Sequence, residues 1–256
     1  MLNIRGRAAR QREIRGQLRM MELTRSRLRV LLRQEFRRTR REAASFLPSW
    51  EEAIRLHQIR LRRIMGTELR QAARRSMERT RGIARRALPL LVERKDAAAS
   101  GAELDAEIDA WAEQYAAQRV VDISETTRKR LRREVRAGLD ANETIPEIAA
   151  RLADDVSIDD ARAETIARTE SHIAGMTGQH MTMEQTADDL GVDMVKEWAA
   201  VEDCRTRPDH ADADGEQVDM DASFNIGDAS LDYPGDPAGP PEEIINCRCC
   251  MLYNIK

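Results

Sequence analysis

The sequence predicts a mainly α fold with a small C-terminal α+β module: long arginine-rich N-terminal helices, a helical middle, and a loop-rich tail with short strands. Three observations carry this. The 256 residues are 34% charged and 4% aromatic, which suits long exposed helices better than a thick sheet core. Apolar residues recur at helical spacing over most of the first 190 positions. From Val192 onward glycine, proline and aspartate breakers take over, and all four cysteines lie in that stretch.

Residues 3 to 46 read as one long helix. Ile14, Leu18, Met21, Leu28 and Leu32 form a coiled-coil-like seam interrupted by Arg25, and so narrow an apolar stripe on a charged rod calls for a partner helix. Pro48 ends it, and Ser49 with Glu52 supplies a capping box for a second helix from about Trp50 to Ala87. Ile54, Ile64 and Leu69 mark that helix, Leu88-Pro89 breaks it, and the two helices fold back as a hairpin. After a turn at Ser100-Gly101, Leu104, Ile108, Trp111 and Tyr115 recur at helical spacing, which makes Trp111 a core anchor. Ser124 caps a separate helix running through Leu131 and Val135 to Gly138. Thr144 to Glu147 is another capping box, with Pro146 in the first turn where its missing N–H costs least. Ser157 opens a helix that fades near Gly178 or continues towards Leu190. Gly191 turns the chain into a short strand marked by Val195, Trp198 and Val201, and Cys249 to Ile255 pairs back as a last strand. Three ranges result: 1–99, a basic helical hairpin or extended helices; 100–190, a helical domain; and 191–256, a small α+β module containing Cys and His.

Charge divides the chain more sharply than hydropathy does. Residues 1 to 100 hold 27 Arg plus Lys against 10 Asp plus Glu, a net of +17, and the remainder is net −20, so the overall −3 conceals two opposite halves. Nearly all the positive charge is Arg, whose planar fork engages phosphate or carboxylate with paired hydrogen bonds. Arg37, Arg38, Arg40, Arg41, Arg74, Arg75, Arg79, Arg81, Arg85 and Arg86 are the candidates for meeting nucleic acid or another acidic partner. The bland alternative is that these arginines pair with glutamates of their own helices or with the acidic half. No apolar run approaches eighteen residues, so no membrane span is expected, and Met1 leads straight into an arginine-rich segment unlike a signal peptide. The cysteines are then expected reduced, in a cell or in a particle built there.

The chemistry is concentrated in the tail. Cys204 and His210 form one short loop, and Cys247, Cys249 and Cys250 form another about forty residues on. Thiolate and imidazole are zinc's preferred donors, so Cys204, His210, Cys247 and Cys249 make a candidate metal set. A disulfide from Cys204 to Cys247 or Cys249, and thiols packed as small apolar residues, are the other readings.

The ordered run Lys196-Glu197-Trp198, Asp203, Arg205, Arg207, His210, Gly215, Phe224, Tyr233-Pro234-Gly235-Asp236 and Asn246-Cys247-Arg248-Cys249 resembles the phage Mu protein F-like family of minor head proteins. Ile166-Ala167-Arg168-Thr169-Glu170 is similar to the same family's helix motif, so the resemblance covers residues from about 125 to 250. It places a Cys-x2-Cys where this chain has Arg207 and His210, and a His where Glu242-Glu243-Ile244-Ile245 precedes the last Cys-x-Cys. What it implies is a non-enzymatic minor head protein in the capsid interior, passing through host cytoplasm during assembly, with portal protein, packaged double-stranded DNA and other capsid or scaffold proteins as partners. The competing reading is a metal-dependent nuclease or hydrolase using Asp203 and His210, with Arg205 or Arg207 polarising a phosphate.

Overall fold

The computed structural model describes residues 7–45, 50–87, 97–154, 157–201 and 203–256. The expected stop at Pro48, the cap at Ser49 and the break at Leu88-Pro89 lie outside the described residues. Five helices come first: α1 (Arg7–Ser45), α2 (Trp50–Ala87), α3 (Ala97–Asp140), α4 (Ile145–Asp154) and α5 (Ser157–Leu190). The tail follows with β1 (Met194–Ala199), α6 (Pro208–Asp212), β2 (Gln217–Asp219), β3 (Phe224–Ile226), β4 (Ala229–Leu231), α7 (Pro241–Ile244) and β5 (Cys250–Ile255). The mainly α fold with a small α+β tail is therefore the one the sequence predicts.

The stripe on α1 finds its partners within the chain. Leu28, Leu32 and Phe36 of α1 pack with Leu61, Met65, Leu69 and Ala72 of α2, Ala116, Val120 and Ile123 of α3, and Ala163, Ala167 and Ala174 of α5. One core is thus shared by helices drawn from both sides of residue 100. A second cluster joins Ala43, Ala53, Ile54 and Leu131 to Ile148 and Leu152 of α4. The small residues of α5 let the helices approach closely. A Cβ on Gly178 would stand 2.4 Å from the backbone oxygen of Ala73, so α2 and α5 touch through main chain there.

Two sequence expectations need correction in the middle of the chain. Ser100-Gly101 is not a turn and Ser124 does not open a new helix, because α3 runs through both without a break. The reason is the uninterrupted stripe Leu104, Ile108, Ala112, Ala116, Val120, Ile123, which keeps one face of a single helix buried. Ser124 lies on that buried face and its Oγ caps nothing. The Thr144 cap does form: Glu147 Oε2 accepts from the Thr144 backbone N–H and hydroxyl, both at 2.7 Å.

The tail is built on an antiparallel sheet in the order β2-β1-β5, with β3 and β4 as a separate hairpin turning at Gly227. Trp198 pairs with Met251 and Lys196 with Tyr253 across β1 and β5. Alternation along β1 sends Met194, Lys196 and Trp198 to one face and Glu197 and Ala199 to the other. The second face receives α1: Ile14 packs on Ala199, Cys250 and Leu252. There Arg10 pairs with Glu197 and Asp214, and Gln17 donates to the Met251 carbonyl at 2.9 Å. The N-terminal helix is thereby fastened to the last strand of the chain.

Candidate metal centre and the framework that holds it

Pro208 at the first turn of α6 presets its backbone and directs His210 inward, where it is 2% exposed. Trp198 from β1 meets the His210 ring edge-on at 5.3 Å. Approaching from the other side, the segment before β5 brings Cys247 Sγ and Cys249 Sγ to 3.6 and 3.4 Å from His210 Nδ1. These three donor atoms lie within 4.8 Å of one another, all on buried residues. The Cys-x-Cys spacing achieves this because Asn246 takes a left-handed φ of 61°, which bends the chain so that alternate residues face the ring.

Cys204 is not part of the group. It is exposed, and it, Cys247 and Cys249 are all free thiols, so both its expected roles, fourth ligand and disulfide half, are corrected. The physical reason is that Asp203, next to it, is turned outward into a two-pronged ion pair with Arg248 at 2.5 and 2.6 Å. Arg248 and the Arg205 backbone N–H hold the Asp203 carboxyl well below its usual range. Asp203 therefore braces two loops rather than facing His210, and Arg205 stays with it, 3.7 Å away.

The far side of the imidazole is also fixed. His210 Nε2 lies 2.8 Å from Glu243 Oε2. Burial alone would lower the His210 pKa, but the neighbouring Cys249 sulfur and Glu243 carry it above the ordinary value. The two thiols are polarised in opposite directions: hydrogen bonding from Cys249 lowers Cys247, and the same bond together with burial raises Cys249. The donor set suits zinc: two sulfurs and a nitrogen converge, and a carboxylate orients the nitrogen from behind. Among the described residues no fourth Cys, His, Asp or Glu joins them. A cavity of about 10 Å³ beside the donors, bordered by Val201, Arg207 and Asn246, is at the lower limit for one water. The residues thus fit three protein ligands with one open position.

The remaining motif residues frame this centre. Arg207 donates to the Ile245 carbonyl at 2.6 Å, and Thr169 Oγ1 accepts from the Asn246 N–H at 3.1 Å. Arg168 reaches Asn246 Oδ1 at 3.2 Å and pairs with Glu164. Glu170 turns away, fully buried, to Tyr115 at 2.8 Å and Arg119 at 2.9 Å on α3. Gly215, at φ 86°, donates its N–H to the Trp198 carbonyl at 2.8 Å. Sequence reasoning missed two of the framing residues. Glu243 lies in the stretch where the family resemblance places a His, and nothing in the sequence marks it as a partner of His210. His172, neutral because burial pulls its pKa down to about 4, donates from Nε2 to the Cys249 carbonyl at 2.8 Å. Its signal was available: it follows Arg168 and Thr169 by one turn on the face that meets the tail.

The arginines expected to meet an acidic partner are mostly engaged at home. Arg40 is 4% exposed, paired with Asp159 at 2.5 Å, so it is removed from any surface role. Arg37 meets Asp160, Arg38 meets Glu42, Arg74 meets Asp109, Arg79 meets Glu13 and Arg81 meets Asp105. Arg75 donates to Thr24 at 2.5 Å, and Arg86 stands near Glu13. Arg41 and Arg85 have no side-chain partner among the described residues. Much of the opposition between the two halves is thus satisfied within one molecule, as with Arg25 and Arg29 on Glu164.

Residues 129–252 match the model of the family described as Phage Mu protein F like protein. The minor head protein GP7 of Bacillus phage SPP1 is 32% identical over 118 residues, 46% of this chain and 38% of that protein. The protein named NAD(+)--arginine ADP-ribosyltransferase EFV, from Enterococcus faecalis (strain ATCC 700802 / V583), is 34% identical over 117 residues, 45% of this chain and 23% of that protein. The chain spans less than two fifths of the length of either relative. No solved structure matches.

Proposed function

We propose, from the match of residues 129–252 to the Phage Mu protein F like family, that the protein is a minor head component taking part in phage head morphogenesis, resident in the virion. In this reading it sits at the portal inside the capsid and touches packaged DNA. The observation that carries the head role is the family match over residues 129–252 taken together with the similarity to GP7 over 118 residues. The role is structural: the motif residues are spent on bracing loops, and the pair Asp203 and His210, which a nuclease would need together, is divided between Arg248 and Glu243. The surface arginines left over support contact with DNA or with acidic portal residues. Detection of this polypeptide by mass spectrometry in purified virions, and its co-purification with portal protein, are the expected results. Absence from mature particles ends the head reading. Plasmid cleavage with Mg²⁺ or Mn²⁺ that His210→Ala abolishes would replace it with the hydrolytic one.

Zinc at His210, Cys247 and Cys249 belongs to the same proposal. When bound it would tie α6 to the segment just before β5 through His210, Cys247 and Cys249, in place of the hydrogen bonds among those side chains. Elemental analysis of protein purified without chelator tests this, with about one zinc per chain expected and less than roughly 0.2 ending it.

A further inference from the structure

Several helical glycines among the described residues have an internal explanation. Gly178 lets α5 press on the Ala73 backbone, Gly175 faces Met21 at 3.1 Å, and Gly138 admits Ile148 of α4 at 2.6 Å. Gly66 is different. It lies near the middle of α2, where glycine is less favourable than alanine, yet an added Cβ there would meet nothing within 4 Å. Nothing inside the described chain uses the missing side chain.

What surrounds Gly66 is cationic and concave. Arg62, Gly66 and Arg70 fall on one helical row at i, i+4, i+8, and Arg63 and Thr67 fall on the next. These residues border a cleft of about 190 Å³ between α2 and α3, whose far wall includes Glu113. Arg62 and Arg63 are exposed and make no ion pair or hydrogen bond among the described residues. Arg70 is 3.5 Å from Asp109 and its Nε is buried without a hydrogen-bond partner. This contrasts with the exposed arginines that have found an acid: Arg38 on Glu42 and Arg55 on Glu52. Arg62, Arg63, the Thr67 hydroxyl and an uncovered stretch of helix backbone face Glu113, while Arg70 is shared with Asp109, so the cleft keeps a net positive charge carried by two guanidiniums without an acid among the described residues.

We propose that Arg62, Arg63 and Arg70, with Gly66 as the floor between them, form a seat for the phosphate backbone of nucleic acid. This rests on the DNA limb of the function proposed above and relocates it, since most of the arginines first expected to carry it are neutralised internally. The planar forks of Arg62 and Arg63 take phosphate oxygens in paired hydrogen bonds, Thr67 donates its hydroxyl, and the absent Cβ at position 66 lets the strand lie against the helix. The row from residue 62 to 70 spans about 12 Å, enough to follow successive phosphates.

The test measures retention of a random-sequence duplex by the full chain as a function of salt. Arg62→Ala with Arg63→Ala is expected to reduce the slope of log affinity against log salt by about 1.8, two phosphate contacts' worth. Arg38→Ala with Arg55→Ala removes the same charge from neutralised positions and is expected to leave the slope unchanged. Equal losses in both pairs would show only a diffuse charge effect and overturn the seat. Gly66→Leu is expected to weaken binding several-fold at unchanged helix content, while Gly66→Ala raises the Tm by about 2 °C. If the wild-type chain retains DNA and neither the arginine pair nor Gly66→Leu alters it, the seat is wrong and DNA contact lies elsewhere. No retention even at about 50 mM salt overturns the DNA limb and the seat together.

Discussion

A single buried pair shows how closely the chain's opposite charges are matched. Asp159 accepts from Arg40 and Arg130, and all three are nearly free of solvent. Asp159→Ala removes the carboxylate that two buried guanidiniums share, and unfolding by denaturant is expected to show a loss of about 3 kcal/mol. Nothing in the spacing of Arg40 marks it as different from Arg38 or Arg41. Only the return of α5 against α1 makes one of them core and leaves the others wet. His180 carries a pH prediction. It is buried between Tyr233 and Tyr253, and burial, aided by the nearby Lys196, pulls its pKa down to about 4. The folded state therefore holds this ring neutral while the unfolded chain, at an ordinary value near 6.5, takes up a proton. Its contribution is complete above pH about 6.5 and is lost progressively as pH falls towards 4. Replacing His180 with Gln is expected to flatten the stability profile measured over that interval.

Among the elements, α5 joins the parts of the fold. Its small residues accept α1 and α2, while Arg168, Thr169 and His172 reach the segment carrying Cys247 and Cys249. Gly178→Ala should force α2 and α5 apart at a backbone contact that cannot yield, costing about 1 to 3 kcal/mol in a denaturant titration. Cys247→Ala is expected to act differently, speeding amide exchange in β5 far more than in α2, because it loosens the staple and leaves the helical core alone. Equal exchange in the two elements would remove the staple from the account. The tail's cysteine and histidine chemistry was legible in sequence as far as His210, Cys247 and Cys249. Cys204 was misjudged because proximity in sequence to His210 said nothing of the Asp203–Arg248 pair that turns its loop outward. Glu243 escaped notice because a carboxylate one turn from a cysteine is indistinguishable, in sequence, from surface charge.

At the scale of the whole molecule, the division at residue 99/100 drawn from charge and breakers does not correspond to a boundary in the apolar core, which α1 and α2 share with α3 and α5. A fragment of residues 1–99 is therefore expected to show low helicity and no cooperative melting by circular dichroism, since its stripe would face water. A stable, cooperatively melting fragment would mean the hairpin stands alone. The same interlocking explains why a chain with halves of +17 and −20 folds with its charges largely spent: α5 brings Glu164, Asp160 and Asp159 against Arg25, Arg33 and Arg40.

Periodicity and breakers by themselves determined the helical character, the capping at Thr144, the turn at Gly191 and the pairing of the first and last tail strands, while the ordered motif residues pointed to the family whose model residues 129–252 match. These are local or strictly ordered features, written in spacing. Which arginines are buried, which cysteine leaves the cluster, and which helices share a core were decided only by tertiary structure. Each depends on the three-dimensional return of a distant segment, and a contact between residues a hundred positions apart leaves no period in the chain.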